Sequence, residues 1–153
     1  MDLYLKLRAG ILTSSADETQ RLAAELAVTL PENCTLALSG DLGAGKTTFV
    51  KGLAQSWGIL QPVTSPTYNF FNIYQGTRQL IHFDAYRINS DEEADGLLID
   101  EFLQPPYCLV IEWPEKLSSA WWSDAFRIYL ELLPNGEHRI TIPSTTPQNT
   151  HNA

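Results

Sequence analysis

The segment Thr35-Leu-Ala-Leu-Ser-Gly-Asp-Leu-Gly-Ala-Gly-Lys-Thr47 joins a compact apolar run to a glycine-rich loop. The apolar run predicts a buried parallel strand, and residues 47–57, which follow the loop, have helical character. The loop fits the pattern G-x-x-x-x-G-K-[ST], in which glycines let backbone N–H groups approach phosphates closely. The N-terminus of the following helix adds partial positive charge at the same point. A chance glycine-rich turn is the alternative, but the flanking strand and helix favour a phosphate-binding loop.

The residues of this loop have distinct predicted roles in holding a nucleotide. Lys46 should reach the β and γ phosphates of a bound nucleotide, and the Thr47 hydroxyl should be a ligand of Mg2+. The loop therefore predicts a nucleotide polyphosphate and Mg2+ as its ligands. The predicted nucleotide-binding positions of the loop are Gly40, Asp41, Leu42, Gly43, Ala44, Gly45, Lys46, Thr47 and Thr48.

Two acidic residues, Asp84 and Glu112, each end an apolar run that is typical of a buried strand. A phosphate-binding loop needs a carboxylate at the end of a neighbouring strand to hold the metal or its water. We predict that one of the two orients Mg2+ and the other orients the attacking water. The predicted catalytic residues are then Asp84, Glu112 and Lys46, and the predicted metal ligands are Thr47, Glu112 and Asp84. The sequence leaves open which carboxylate has which role.

Three further positions give weaker signals. The segment Thr64-Ser-Pro-Thr67 begins roughly 20 residues after the phosphate-binding loop, a distance at which a switch segment can reach the γ phosphate. Thr67 or Ser65 could therefore contact Mg2+ or phosphate. We interpret His82 as a core histidine rather than a functional one. Arg87 either supplies positive charge to the transition state or forms a structural salt bridge.

The first part of the chain predicts a strand and then a helix. Leucines alternate with polar or aromatic residues over Leu3–Arg8, which predicts a short edge strand. Ser15-Ala-Asp-Glu18 is a capping box, and the apolar spacing that follows predicts a helix that Pro31 either ends or directly follows. The prolines at 62 and 66 predict an irregular loop between them. Residues 90–102 should be helical in pieces, with a break at Gly96.

The second part of the chain predicts two hairpins and a buried strand. Residues 68–74 and 79–84 form the first hairpin, and residues 126–132 and 138–142 form the second. Residues 107–112 are the second clear buried strand. Together these elements predict an α/β, single-domain, P-loop NTPase-like fold with three layers, whose mixed sheet has parallel core strands and a C-terminal hairpin. This P-loop domain should span residues 1–143, with residues 144–153 as a flexible C-terminal tail.

Composition limits the class of protein. The chain has 153 residues, 10 Lys plus Arg against 18 Asp plus Glu, and a formal charge of −8. It lacks the basic field that unaided nucleic-acid or membrane-surface binding requires. Cys34 and Cys108 lie in apolar runs and indicate neither a disulfide framework nor a zinc site. With neither a transmembrane nor a secretory segment in the sequence, we expect a cytoplasmic protein.

Four blocks of sequence together resemble one family. They are Gly40-Asp-Leu-Gly-Ala-Gly-Lys-Thr-Thr48, Val63-Thr-Ser-Pro-Thr-Tyr68, His82-Phe-Asp-Ala-Tyr-Arg87 and Ile111-Glu-Trp-Pro-Glu115. In order and spacing they are similar to the bacterial TsaE family, the small P-loop ATPases of tRNA threonylcarbamoyladenosine biosynthesis. The resemblance extends over roughly residues 12–142.

This resemblance implies an ATPase, with ATP and Mg2+ as its cofactors, that is weak alone and works with two partner proteins. They are a threonylcarbamoyl transferase subunit (TsaD-like) and its inactive paralogue (TsaB-like), which modify adenosine 37 of tRNAs that read codons beginning with A. The ATPase would act on the transferase complex and not transfer the group itself, so neither sequence-specific nucleic-acid binding nor membrane binding is expected. The resemblance gives Lys46 and Thr47 nucleotide and metal roles, Thr67 a switch role, and Asp84 and Glu112 metal or catalytic roles.

Other nucleotide-dependent classes are alternatives. A GTPase would contain an Asn-Lys-x-Asp motif and an Asp-x-x-Gly switch, and the sequence has neither. A small-molecule P-loop kinase would need a lid that carries arginines, whereas the central region has only Arg78 and Arg87. A nucleotide-dependent binding switch with negligible hydrolysis fits the sequence as well as an enzyme with turnover does.

Overall fold

The computed structural model describes the part of the chain that comprises residues 2–66 and 69–143. These residues form a mixed β-sheet with helices packed against it. The strands of that part are β1 Ile11–Thr13, β2 Asn33–Ser39, β3 Phe71–Gln75, β4 Gln79–Asp84, β5 Tyr107–Glu112, β6 Phe126–Leu132 and β7 His138–Thr141. The α-helices are α1 Leu3–Ala9, α2 Ala16–Ala27, α3 Lys46–Ser56 and α4 Asp91–Asp95. Short 3-10 helices span Ile99–Phe102, Pro114–Lys116 and Ser119–Trp121.

The strands lie in the order β1-β7-β6-β2-β5-β4-β3. Strands β4, β5, β2 and β6 are mutually parallel, whereas β3, β7 and β1 pair antiparallel at the two sides. One apolar cluster lies between the sheet and helices α2 and α3, and a second lies on the opposite face. The predicted α/β fold with parallel core strands and a C-terminal hairpin is therefore confirmed. Because the core strands run the same way, their carboxyl ends meet at one edge.

Helix α2 begins as its capping box predicts. The Ser15 side chain accepts a hydrogen bond from the Glu18 N–H at 3.1 Å, and the Glu18 carboxylate accepts one from the Ser14 N–H at 2.8 Å. These contacts pair N–H groups that would otherwise lack partners at the helix start. The apolar face of α2 then packs against α3, and Gly52 of α3 lies directly against the backbone of Gln20. This close packing fixes the position of α3 relative to α2.

The predicted edge strand over Leu3–Arg8 is wrong, because these residues lie in helix α1. Leu3 and Leu7 are four residues apart and lie on one helical face, where Leu7 is buried and Leu3 packs against the core. Leu5, which a strand would have buried beside them, is 51% exposed. Gly10 ends the helix at φ 98°, and the following residues, Ile11–Thr13, take the edge position. Over so short a segment, leucines at every second position fit the two-residue period of a strand and also the 3.6-residue period of a helix. Packing of this segment against β7 favours the helix.

Several other predictions are confirmed, although the first strand of the first hairpin spans Phe71–Gln75. The loop between Pro62 and Pro66 has no regular structure, and both predicted hairpins form. Ser90 caps α4 through the Glu93 N–H, and that helix ends at Gly96. The predicted tail, residues 144–153, lies outside the described residues. Across residues 2–66 and 69–143, every helix is too short or too polar to span a membrane.

Candidate functional site

The glycine-rich loop lies at the carboxyl end of β2, between that strand and α3. The neighbouring core strands end at the same edge, β4 with Asp84 and β5 with Glu112. These two residues are paired directly across the strands, and Glu112 is in turn paired with Leu38 of β2. The loop and both predicted carboxylates therefore meet at one point. Parallel pairing produces this juxtaposition from residues that are distant in the sequence.

The loop is glycine-rich for two separate reasons. A Cβ atom at Gly40 would lie 2.4 Å from the Leu130 carbonyl oxygen, so only glycine fits where the loop leaves the sheet. Gly45 has φ 100°, a left-handed conformation that other residues adopt at a cost, and it is the N-cap of helix α3. The loop thus bends sharply and presents the N-terminus of α3 to the space above the sheet.

Lys46, the first residue of α3, is held against its own loop. Its Nζ donates hydrogen bonds to the carbonyl oxygens of Gly40 and Asp41, the latter at 3.2 Å. The same nitrogen lies 4.2 Å from the centre of the Trp113 ring. Burial lowers the pKa of Lys46, and the nearby carboxylates of Glu112 and Asp84 oppose that effect. A buried positive charge therefore lies beside the two carboxylates.

Thr47 connects the glycine-rich loop to the predicted switch segment. Its hydroxyl oxygen lies 2.9 Å from the hydroxyl oxygen of Ser65, and either group can be the donor. The segment around Ser65 therefore reaches the residue that we predict as a metal ligand. Thr67, the other predicted contact in that segment, lies outside the described residues, and its role stays a prediction.

The two carboxylates are in different environments. The Asp84 Oδ1 accepts a hydrogen bond from the Tyr86 N–H at 2.9 Å. Burial raises the pKa of Asp84, the hydrogen bond from Tyr86 lowers it, and the charge of Glu112 raises it further. Glu112 is only 4% exposed, and its Oε2 contacts the Nε2 of His82. His82 is fully buried, as a core histidine would be, but its contact is with a predicted site residue.

These side chains line a cleft of about 490 Å³, a size that accommodates a small-molecule ligand. Its predicted residues are Leu42, Gly43, Ala44, Gly45, Lys46, Thr47, Thr48, Ser65, Asp84 and Glu112. Gly40 and Asp41 instead line a neighbouring cavity and contribute to the site through their bonds with Lys46. Arg87 lies on a smaller cavity that shares Asp84 and Ser65 with the cleft. This position tests neither role considered for Arg87, transition-state charge or a structural salt bridge.

Five residues that sequence analysis did not assign to the site also line the cleft: Ala16, Thr19, Tyr86, Trp113 and His138. The Nδ1 of His138 lies 2.9 Å from the Ala44 carbonyl oxygen, so the C-terminal hairpin contacts the glycine-rich loop. Trp113 has φ 58°, an unusual left-handed conformation for a residue of this size, and its ring lies 5.0 Å from that of Tyr86. Tyr86, Trp113 and His138 adjoin predicted elements, but only the assembled fold brings them to the cleft.

The residues of the cleft fit a magnesium ion that is shared with a ligand. One hydroxyl and two carboxylates are hard oxygen donors, which Mg2+ prefers. Within the described ranges, no three His, Cys, Asp or Glu side chains form a complete metal cage. Mg2+ commonly binds through one or two protein carboxylates together with substrate phosphates and water, so this partial set of donors is the expected one.

The sheet order, the glycine-rich loop before α3 and the carboxylates on adjacent strand ends define a protein of the P-loop NTPase-like class. A sequence model of the family described as threonylcarbamoyl adenosine biosynthesis protein TsaE matches residues 13–140. The chain belongs to this family.

Individual relatives agree with this family. The chain is 36% identical over 131 residues to a tRNA threonylcarbamoyladenosine biosynthesis protein TsaE of Treponema pallidum, covering 86% of this chain and 97% of that protein. It is 33% identical over 130 residues to the protein of the same name from Bacillus subtilis, covering 84% and 81%. The crystal structure of Bacillus subtilis YdiB superposes with a TM-score of 0.66 at 31% identity, covering 87% of this chain and 82% of that one.

Proposed function

We propose that this protein binds ATP with Mg2+ in the cleft and hydrolyses it to support threonylcarbamoyl transfer to adenosine 37 of tRNA. The tRNAs concerned are those that read codons beginning with A. The protein would act on the transferase complex in the cytoplasm and not transfer the group itself. The observation that carries this proposal is the buried Lys46, which follows the glycine-rich loop and lies beside the carboxylates at the ends of two neighbouring strands. The family of the chain, and the names of its relatives, supply the pathway.

Backbone groups of the loop would hold the phosphates. The glycines bring N–H groups close to the ligand, and α3 directs its positive end to the same place. Lys46 would exchange the carbonyl oxygens of Gly40 and Asp41 for phosphate oxygens, because the phosphates carry full negative charges. Thr19 and His138 also line the cleft, His138 in direct contact with the loop, and the nucleoside would lie against these two side chains.

Thr47, Asp84 and Glu112 would arrange the reacting groups. When bound, Mg2+ would neutralise charge that develops on the phosphates. The Thr47 hydroxyl and one carboxylate would hold the ion, and the other carboxylate would orient the attacking water. Phosphoryl transfer depends mainly on such positioning and charge stabilisation, so both carboxylates should matter for turnover more than for binding.

We propose a TsaD-like transferase subunit and its TsaB-like paralogue as partners. A formal charge of −8 disfavours direct binding of tRNA, so tRNA would be held by the partners. A second candidate function is a nucleotide-dependent binding switch with negligible hydrolysis. The contact between Thr47 and Ser65 favours it, because a ligand at Thr47 would act directly on the loop that contains Ser65.

Three measurements test these proposals. Calorimetric titration of the purified protein with ATP, with and without Mg2+, should show binding, and phosphate release should increase when the partner proteins are added. Binding without release, alone and with partners, would favour the switch over the ATPase. Depletion of the protein in cells should lower threonylcarbamoyladenosine in bulk tRNA, measured by mass spectrometry. Undiminished modification would reject the pathway whatever the ATPase result.

A further inference from the structure

His82 is a fully buried imidazole beneath the carboxylates of the site. It lies in β4, where Leu80, His82 and Asp84 share one face because side chains alternate along a strand. On the paired strand β5, Glu112 lies opposite Asp84. His82 is therefore diagonal to Glu112 and lies two residues further from the end of β4. Its Nε2 meets the Glu112 Oε2, whereas its Nδ1 is buried and finds no hydrogen-bond partner among the described residues.

We propose that His82 is a positioning residue, which holds the Glu112 carboxylate in the direction that the site requires. The inference rests on the proposed function, since the role of Glu112 toward metal or water belongs to that proposal. Because the contact is with a carboxylate oxygen, the assignment that satisfies it places the hydrogen on Nε2, which donates to Glu112. With Oε2 held, the direction of the other oxygen of Glu112 is fixed as well.

Packing alone does not account for a histidine at this position. Its neighbour on the same face of β4, Leu80, is fully buried, and so is Val110, which is paired with His82 on β5. An unpaired nitrogen among such side chains destabilises the folded state, and a residue such as leucine would avoid that cost. The contact with Glu112 is the feature of His82 that leucine cannot supply.

Glu112 needs a fixed hydrogen-bond donor because its two charged neighbours, Asp84 and Lys46, act on its carboxylate with opposite sign. The like charge of Asp84 lies directly across the strands and repels it, whereas the buried Lys46 attracts it. Without a donor beneath it, the carboxylate would turn toward Lys46 and away from a bound ion or water. Residues that orient metal ligands in this way typically contribute about 10- to 100-fold in metal affinity or activity.

Three substitutions of His82 separate the effect of its hydrogen bond to Glu112 from the effect of its packing in the core. His82→Leu removes the donor and keeps an apolar filling, while His82→Gln places an amide nitrogen near the position of Nε2. His82→Asn keeps an amide but is too short to reach Glu112. Leu80→Ala is the matched control, because it perturbs the same face of the same strand without touching Glu112. Thermal melting of every variant shows which of them fold.

Direct metal binding is the first measurement. Mn2+ is titrated into the ADP-bound protein and followed by electron paramagnetic resonance, and ADP affinity is measured without divalent ions. Turnover is then measured as a function of Mg2+ concentration. We expect His82→Leu and His82→Asn to weaken Mn2+ binding, or to lower kcat, about 10- to 100-fold while metal-free ADP affinity is kept. His82→Gln should recover most of the loss, and Leu80→Ala should lower only the melting temperature.

Different results would overturn different claims. Wild-type Mn2+ affinity and kcat in a folded His82→Leu protein would overturn the positioning role, and so would equal losses in His82→Gln and His82→Asn. If His82→Leu does not fold, the comparison of the Gln and Asn variants decides the question. A wild-type protein that binds neither ADP nor Mn2+ would overturn the proposed function and this inference with it.

Discussion

Gly52→Ala tests whether the packing of two helices sets the shape of the cleft. Gly52 lies in the middle of α3, and a Cβ atom there would be 2.4 Å from the Gln20 carbonyl oxygen of α2. It would also be 2.7 Å from the Gln20 Cα and 2.8 Å from the Ala23 Cβ. Two of these three neighbours are backbone atoms, which cannot rotate away. The helices must therefore separate by about 1 Å to reach ordinary contact.

The expected loss of stability follows from two opposed effects. Overpacking of this kind destabilises by about 1–3 kcal/mol, and the upper part of that range applies where backbone is the obstacle. Alanine in place of glycine in a helix interior recovers about 1 kcal/mol. The net loss is about 2 kcal/mol, which for a chain of this size corresponds to a decrease of about 4–8 °C in melting temperature.

The expected effect on the cleft is larger than the loss of stability suggests. Ala16 and Thr19 at the start of α2 form one wall of the cleft, and Lys46 at the start of α3 forms another. Separation of the helices moves these walls apart. A misplacement of about 1 Å can cost about 100-fold in catalysis, so we expect weaker ATP binding and slower hydrolysis in a protein that is still folded.

Calorimetric melting and ATP titration of Gly52→Ala check both effects. Gly96→Ala is the matched control, because Gly96 already has a helical φ of −66° and its added Cβ would lie 3.4 Å from the nearest atoms. That control should stabilise the protein by about 0.4–1 kcal/mol and leave ATP binding unchanged. A wild-type melting temperature for Gly52→Ala would refute the packing argument. A lowered melting temperature with wild-type ATP affinity and turnover would refute the connection between helix packing and the cleft.

Three more predictions concern the site and the corrected N-terminus. Lys46→Ala should abolish ATP binding in calorimetry, whereas Asp84→Asn and Glu112→Gln should keep it and lose phosphate release; unchanged turnover in both carboxylate variants would remove their catalytic roles. Burial raises the pKa of Asp84, so the charged carboxylate lowers the free energy of unfolding. This loss of stability is fully present above the raised pKa, and it disappears as pH falls through the ordinary range of aspartate. Without Mg2+, Asp84→Asn should therefore melt higher than wild type at neutral pH and lose that advantage in acid, and a constant difference across pH would contradict this. Leu7→Ala should destabilise the protein by about 2–5 kcal/mol in denaturant unfolding, because Leu7 is buried in α1, whereas the more exposed Leu5→Ala should have little effect; equal effects would contradict the helix.

The sequence is informative where a short pattern has one physical solution. The glycine-rich loop between an apolar run and a helix is such a pattern, since backbone wrapping, close approach to β6 and the start of α3 all require it. The positions of Asp84 and Glu112 at paired strand ends also follow from sequence, because parallel core strands end at one edge. In contrast, Leu3, Leu5 and Leu7 fit a strand and a helix equally well, and only contacts with β7 distinguish the two.

Features that depend on register or on distant elements are outside the reach of local patterns. The contact between His82 and Glu112 requires the exact pairing of β4 with β5, since a shift by one residue would turn either side chain to the other face. His138 reaches the loop only because the C-terminal hairpin lies beside β2 in the sheet. Thr19 lines the cleft because α2 packs against α3. Each of these contacts joins residues that no spacing rule connects.

The charges that line the cleft are the reason that a divalent ion belongs to the proposed binding of ATP. Two carboxylates and one ammonium group line the cleft, and the raised pKa of Asp84 reflects in part the charge of Glu112 across from it. ATP alone would add several negative charges beside these groups, which backbone N–H groups and Lys46 offset only in part. Asp84, Glu112 and the Thr47 hydroxyl would supply the ligands of a divalent ion, whose charge would offset this repulsion. The comparison of ATP binding with and without Mg2+ measures that balance directly, and equal affinities would show that the loop and Lys46 suffice.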